Sequence, residues 1–174
     1  MILAWTGADR KPQDFVVPSM CAVEVKTSTS PQLQQVRING ERQLDTTGLR
    51  LLFLLCFRLE QVTAGGKSLP ELVERLRLAA GDHGELRSAL DMRLGLAGFR
   101  DRDAARYEQF RFVVAERRVY EVTGGFPRIT PVELPSGTLD VSYALELRQC
   151  SAYLRDRAQL RTCLGQLQIN GDDN

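Results

Sequence analysis

The sequence lacks any apolar run long enough to cross a membrane. Its longest run, residues 51–57, is far shorter than the ~20 residues that a spanning helix needs. The first residues also lack the charged and apolar regions of a signal peptide. These absences exclude a membrane partner and predict a cytoplasmic protein.

Histidine is nearly absent, and the cysteines lack the spacing of a metal site. The single histidine, His83, lies in a turn-like Gly-Asp-His-Gly stretch without a second histidine to share a metal. The cysteines stand at positions 21, 56, 150 and 163, with no Cys-x-x-Cys pair. We therefore expect His83 on a surface loop and reduced cysteines in the core.

Lysine is scarce as well, and charge of one sign does not dominate. Only three of the 23 basic residues are lysines, at positions 11, 26 and 67. Arginine suits bidentate phosphate contacts, but codon bias in a GC-rich genome gives the same skew. The net charge of +1 selects no class of partner. With 174 residues, 43% hydrophobic and 26% charged, the chain fits one soluble domain, which we predict over residues 1–168.

The most informative stretch is residues 12–28, in which two short apolar segments carry three charges. Charged side chains are depleted in strands because a strand surface is half buried. Asp14, Glu24 and Lys26 nevertheless stand among valine, phenylalanine, methionine, cysteine and alanine residues. Three charges in such surroundings indicate a functional site.

Strand periodicity predicts which of these charges share a face. Residues 13–17 and 20–27 are typical of two strands on either side of a Pro-Ser turn. Because side chains alternate between the two faces of a strand, Glu24 and Lys26 point the same way.

The length of the connecting loop decides where Asp14 lies. A three-residue loop over residues 18–20 places Asp14 opposite Glu24, whereas a two-residue loop places Asp14 opposite Val23. The first register brings all three charges together.

Two carboxylates and a lysine on one face suit metal-dependent phosphodiester hydrolysis. Mg²⁺ prefers oxygen ligands and keeps several waters, so two carboxylates and a carbonyl suffice. We predict Asp14, Glu24 and the carbonyl of Val25 as ligands of Mg²⁺, or of Mn²⁺ in its place. Lys26 is predicted to orient or deprotonate the attacking water. The alternative is an exposed edge hairpin whose cross-strand ion pair contributes only ~0.2–1 kcal/mol.

The remaining pattern predicts further strands and helices around this hairpin. Residues 50–59 are apolar almost throughout and favour a buried central strand over a buried helix. Ser68 and Glu71 form a capping box that begins a helix ending near Gly81. The other predicted elements are a strand at 36–38, a helix at 85–97, a hairpin over 107–122 with its turn at Glu116-Arg117, a strand pair at 128–132 and 139–147, and a terminal helix at 151–167.

The predicted domain then divides into four parts. They are a catalytic hairpin with core strands (1–63), a helical pair (68–98), antiparallel strands (107–150) and a terminal helix (151–168). Gln34, Gln35 and Gln43 are candidates to lie near the charged hairpin and position a water or a base.

Several motifs together resemble a known family. Asp14, a gap of nine residues and Glu24-Val25-Lys26 are similar to the signature of the PD-(D/E)XK phosphodiesterase superfamily. The wider resemblance comprises Ala4-Trp5-Thr6-Gly7, Pro12-Gln13-Asp14-Phe15, Val23-Glu24-Val25-Lys26-Thr27-Ser28, Gln43-Leu44-Asp45, Ser68-Leu69-Pro70-Glu71-Leu72-Val73, Phe126-Pro127-Arg128 and Tyr143-Ala144-Leu145-Glu146-Leu147. Together these motifs resemble the bacterial PD-(D/E)XK motif proteins over most of the chain.

The resemblance implies a restriction-endonuclease-like fold of the α/β (α+β) class, with a mixed β-sheet flanked by helices. It also implies an Mg²⁺-dependent endonuclease that acts on DNA, in restriction or phage defence, with a homodimer as an open alternative. Two departures qualify this expectation. Relatives carry a preceding helix with a Gly-x-x-Gly-Glu type motif, after which Met1 begins, and a Ser pair after an Ile where this chain has Ile38-Asn39-Gly40. A shortened N-terminus leaves a second function open, that of a catalytically inactive domain that binds nucleic acid or protein.

Overall fold

The computed structural model describes residues 2–17 and 20–165, which form a mixed five-stranded sheet, a two-stranded sheet and flanking helices. The strands are β1 (Phe15–Val17), β2 (Cys21–Ser28), β3 (Gln35–Ile38), β4 (Leu51–Val62), β5 (Arg111–Glu121), β6 (Tyr143–Glu146) and β7 (Leu154–Arg155). The helices are α1 (Leu69–Ala80), α2 (Gly84–Leu96), α3 (Ala104–Glu108) and α4 (Arg157–Gly165). The predicted fold class is confirmed.

Strand β4 is the centre of the main sheet, whose order is β1-β2-β4-β5-β7. It runs parallel to β2 and antiparallel to β5. Leu52, Phe53, Leu54 and Cys56 are buried along it, as expected of a strand covered on both faces. The preference for a central strand over a helix at 50–59 is therefore confirmed.

The two faces of the main sheet bury different clusters. On one face Ala22, Leu54 and Tyr120 pack with residues of β3 and β6. On the other face Val23 and Phe53 pack in a cluster with Ala4, near the N-terminus, and with Leu160 of α4. Even-numbered residues of β2 therefore lie beneath the two-stranded sheet.

The two-stranded sheet pairs β3 with β6 in antiparallel register, from Gln35 opposite Glu146 to Ile38 opposite Tyr143. The predicted pairing of 128–132 with 139–147 is wrong. Pro131 instead begins a short 3-10 helix that is closed by a capping box between Thr130 and Glu133. With its own backbone turned into a helix, that segment offers no ladder to β6, and β3 supplies the partner.

The predicted hairpin over 107–122 is also wrong, since β5 is one continuous strand. A two-residue hairpin turn needs residues with positive φ, and neither Glu116 nor Arg117 has one. The strand instead follows β4 along its length and absorbs Ala115 as a bulge between the pairs Arg58–Glu116 and Leu59–Val114.

The two central helices follow the sequence prediction. In α1, the Ser68 side chain accepts a hydrogen bond from the backbone N–H of Glu71, and the Glu71 carboxylate accepts one from the backbone N–H of Ser68. The helix ends at Gly81. Helix α2 begins at Gly84, one residue before the predicted start.

The C-terminal prediction is only partly right. A 3-10 helix (Leu147–Tyr153) and β7 come before α4, so the predicted helix over 151–167 is shorter than expected, and residues 166–168 lie outside the described residues. Cys21, Cys56 and Cys150 are free and buried, as predicted. Within the described ranges, no helix combines the length and hydrophobicity needed to cross a bilayer.

Candidate metal and catalytic site

The hairpin of β1 and β2 sets the positions of the candidate residues. Val17 pairs with Cys21 and Phe15 pairs with Val23, a register that corresponds to the three-residue connection and not to the two-residue one. Continuing this register by one residue puts Asp14, just before β1, opposite Glu24.

Glu24 and Lys26 lie on the same face of β2, as the alternation predicts. The Lys26 ammonium and the Glu24 carboxylate form an ion pair with 2.7 Å between Nζ and Oε1. Glu24 is buried, with 1% of its surface exposed, and 12% of the Lys26 side chain remains accessible. The alternative of an exposed edge hairpin does not hold for these two residues.

The protonation of Glu24 reflects its burial. Desolvation is the main cause that raises the pKa of Glu24; the charge of Asp14 also raises it, Lys26 and the Asp14 backbone lower it, and the resulting pKa is about 7. Its Oε2 atom is buried and has no hydrogen-bond partner among the described residues. Burying a carboxylate oxygen without a partner is costly. Glu24 therefore holds an unused acceptor beside Asp14.

Backbone N–H groups hold both the side chain and the carbonyl of Asp14. Its Oδ2 accepts a hydrogen bond of 2.8 Å from the Val25 N–H, and its carbonyl accepts hydrogen bonds from the N–H groups of Thr6 and Gly7. In a strand the N–H and C=O of one residue point to the same side. The Val25 carbonyl therefore faces the Asp14 side of β2, past the point where the β1 pairing ends.

Gly7 provides the space that the Asp14 side chain occupies. A Cβ atom at position 7 would lie 2.6 Å from Asp14 Oδ1 and 3.1 Å from its Cα. Such distances are too short for a side chain, so only glycine lets the backbone approach the carboxylate this closely. The sequence prediction assigned no role to Gly7, although it lies in the Ala-Trp-Thr-Gly motif.

Gln43 is the one candidate glutamine that reaches the site. Its Oε1 accepts a hydrogen bond of 2.7 Å from the Lys26 Nζ and one of 2.8 Å from the Asn39 N–H. Gln13, which sequence reasoning missed, donates from Nε2 to the carbonyls of Arg42 and Gln43. In the sequence, the only sign of a role for Gln13 was its position directly before Asp14.

Gln34 and Gln35 line a cavity of about 720 Å³ together with Arg118 and Tyr120, and no candidate ligand is among its described lining residues. Neither glutamine is among the described hydrogen-bond partners of Lys26, and their predicted role in positioning a water or a base stays a prediction.

Arg77 on α1 has a structural role. Arg77 forms ion pairs with Asp91 and Asp101, which raise the pKa of its guanidinium above the ordinary value. The side chain therefore ties α1 to α2 and to the turn before α3.

The donor set fits a hard divalent cation with open positions. Among the described residues, no group of three His, Cys, Asp or Glu side chains could hold a metal, which argues against a closed structural zinc site. Mg²⁺ needs only one or two carboxylates because waters and substrate oxygens fill the rest of its shell. The chain offers the carboxylate of Glu24, whose Oε2 has no partner among the described residues, and the carboxylate of Asp14, which contacts the backbone of β2 at Val25; two carboxylates and a backbone carbonyl are a donor set of that kind.

Comparison with known proteins gives one result. Residues 1–148 match the model of the family described as "Putative PD-(D/E)XK family member, (DUF4420)". Neither the curated proteins nor the solved structures give a significant match. The match begins at residue 1 and ends just after β6, so it includes Asp14, Glu24 and Lys26. The chain belongs to this PD-(D/E)XK family.

Proposed function

We propose that the protein is a metal-dependent phosphodiesterase that cuts DNA as an endonuclease. The observation that carries the proposal is Glu24, a carboxylate buried on the face of Lys26 with an oxygen that no described residue uses. Membership of a PD-(D/E)XK family supports the same class of reaction.

Asp14, Glu24 and the Val25 carbonyl would hold Mg²⁺, or Mn²⁺ in its place. The cation, when bound, supplies Lewis-acid stabilisation of charge at a scissile phosphate. Asp14 is well prepared for this role because the Val25 N–H holds Oδ2, so that the carboxylate keeps one orientation. A bound cation would also favour the ionised form of Glu24, because its charge would offset the desolvation that raises the pKa of this carboxyl.

Lys26 would act on the attacking water and on the phosphate. Its ammonium has three donors, of which two point at Glu24 and Gln43. The third remains for a water or a phosphate oxygen that enters the site. A cation at this point also offsets charge that develops in the transition state.

DNA is proposed as the substrate, and restriction or phage defence in the bacterial cytoplasm as the setting, on the resemblance of the chain to PD-(D/E)XK motif proteins. A homodimer would allow two such sites to cut both strands. The neutral overall charge gives no independent preference between DNA and RNA.

The test combines cation binding with cleavage. Supercoiled plasmid, linear DNA and single-stranded RNA are incubated with the purified chain and Mg²⁺ or Mn²⁺, while calorimetry measures Mn²⁺ affinity. Asp14→Asn, Glu24→Gln and Lys26→Met should each slow DNA cleavage by about 10²–10⁴-fold. The matched controls are Asp82→Asn and Lys67→Met, at exposed positions just before α2 and α1 and outside the hairpin.

The variants also separate the roles. The two carboxylate variants should lose Mn²⁺ binding, and Lys26→Met should keep it. Wild-type protein that neither binds the cation nor nicks plasmid would overturn the proposal and favour a non-catalytic binding domain. Full-rate cleavage by Lys26→Met would remove Lys26 from the reaction.

A further inference from the structure

The Lys26 ammonium is held by two acceptors that come from different parts of the chain. Glu24 Oε1 belongs to the same strand, and Gln43 Oε1 comes from the segment between β3 and β4, each 2.7 Å from Nζ. We infer that Gln43 is the positioning residue for Lys26, an inference that deepens and rests on the proposed function.

A lysine in an active site needs such a second contact. Its four-carbon side chain has many rotamers, and fixing them costs conformational entropy. One ion pair with Glu24 fixes a distance but leaves the ammonium free to swing about the carboxylate. A second acceptor from another element fixes the direction of the remaining N–H.

Gln43 is itself held firmly enough to serve as that acceptor. Its side-chain oxygen also accepts a hydrogen bond from the Asn39 N–H, which closes the segment 39–43 on itself. Gln13 donates to the backbone carbonyls of Arg42 and Gln43. Gln13 is 8% exposed and precedes Asp14 directly, so the Gln43 segment is attached to the residue next to the first carboxylate.

This arrangement couples the two halves of the site. The Asp14 half is set by the backbone around residues 6–14, and the Lys26 half is set by Gln43. Gln13 joins them through the carbonyls it binds. A displacement of the Gln43 segment would therefore move the lysine relative to the carboxylates.

The choice of an amide also has a chemical reason. The acceptor must bind an ammonium within a site that already contains the carboxylates of Asp14 and Glu24. A neutral amide oxygen accepts the hydrogen bond without a third negative charge. The contact with Lys26 needs an acceptor of glutamine length at position 43, and the neutral amide meets this need without adding a carboxylate to the site.

The scarcity of lysine permits a direct test that needs neither metal nor substrate. Lysines occur only at positions 11, 26 and 67, so ¹⁵N-lysine labelling gives three side-chain signals, and Lys26→Met assigns one of them. A largely buried ammonium that donates two hydrogen bonds should exchange its protons slowly with water. We expect a slow signal from Lys26 in the wild type, accelerated by at least about tenfold in Gln43→Met because only one acceptor remains.

Two further variants separate positioning from packing. Gln43→Glu keeps a side chain of the same length with acceptors for Lys26 and Asn39, and should retain slow exchange. Gln35→Met replaces an exposed glutamine that is not among the described hydrogen-bond partners of Lys26 and should leave the Lys26 signal unchanged. Equal Lys26 exchange in wild type and Gln43→Met would overturn the inference.

Cleavage kinetics supply the second readout. Gln43→Met should lower kcat by about 10–100-fold, as expected when a catalytic group is misplaced by about 1 Å, with KM and Mn²⁺ affinity within about twofold of wild type. Gln43→Glu should recover most of the loss.

Failures of the two ideas are distinguishable. If the wild type shows no cleavage while the Lys26 signal responds to Gln43→Met, the positioning contact stands and the proposed reaction is wrong. If the wild type cleaves and Gln43→Met cleaves at the same rate, the reaction stands and Gln43 does not position Lys26.

Discussion

Glu24 Oε1 lies 2.7 Å from Lys26 Nζ, while the second oxygen of the same carboxylate is buried without a partner among the described residues. The lysine thus satisfies only half of the carboxylate. The negative charge of Asp14 acts on the same carboxylate and adds to the rise in its pKa, of which burial is the main cause. This relationship gives the site its most specific physical property, a carboxylate that is more easily protonated than usual although it has a cationic neighbour.

The pH dependence of stability should report this property. Burial raises the pKa of Glu24 from 4.5 to about 7, so the folded state binds the proton more tightly than the unfolded state does. Its contribution therefore stabilises the fold below pH 4.5 and is lost as the pH rises to about 7, at a cost on the order of 3 kcal/mol. Urea unfolding of wild type and Glu24→Gln between pH 4.5 and 8 measures it.

The Glu24→Gln variant should lack this component, so the stability difference between the two proteins should grow in favour of the variant as the pH rises. Added Mn²⁺ should reverse the loss in the wild type alone. If the stability of the two proteins changes with pH in parallel, burial does not raise the pKa of Glu24 in the folded state.

Removing Asp14 should separate its backbone contact from its charge. Asp14→Asn keeps an oxygen for the Val25 N–H and should retain stability within about 1 kcal/mol while losing Mn²⁺ affinity. Asp14→Ala leaves that N–H without its partner and should destabilise the fold by about 1–3 kcal/mol. Thermal unfolding and calorimetry measure the two effects, and equal stability of the Asn and Ala variants would contradict the structural role of the contact.

Gly7→Ala should disturb the site through space alone. The added Cβ would lie 2.6 Å from Asp14 Oδ1, so the carboxylate or the turn must move. We expect weaker Mn²⁺ binding and a loss of stability of about 1–3 kcal/mol, as for other overpacked positions. Calorimetry and urea unfolding test both.

Gly95→Ala is the matched control for that substitution. Gly95 lies within α2 with open space around its Cβ position, and alanine there should stabilise the protein by about 0.5–1 kcal/mol. If both glycine variants bind Mn²⁺ like the wild type, the space at Gly7 has no bearing on Asp14.

The capping box of α1 gives a prediction outside the site. Ser68 is fully buried and accepts the Glu71 N–H, so Ser68→Ala should lower the free energy of unfolding by about 0.5–2 kcal/mol. Cleavage and Mn²⁺ affinity should stay unchanged. Circular dichroism during thermal unfolding measures the loss, and a change in Mn²⁺ affinity would show that α1 communicates with the hairpin.

The sequence by itself determined the local geometry of the candidate site. Two-residue periodicity placed Glu24 and Lys26 on one face, and it limited Asp14 to two registers, of which the structure has the one opposite Glu24. The Ser68–Glu71 capping box likewise fixed the start of α1. Each of these features depends on residues within about ten positions of one another, so the pattern contains the information.

Tertiary structure alone decided the contacts between distant segments. Gln43 reaches Lys26 across 17 positions, Gln13 reaches Arg42 across 29, and β6 pairs with β3 rather than with its neighbour in sequence. The continuous course of β5 likewise depends on the length of β4. A strand or a side-chain amide pairs with the distant partner that leaves the fewest buried polar groups without a hydrogen bond. That partner is determined only when the whole core is assembled.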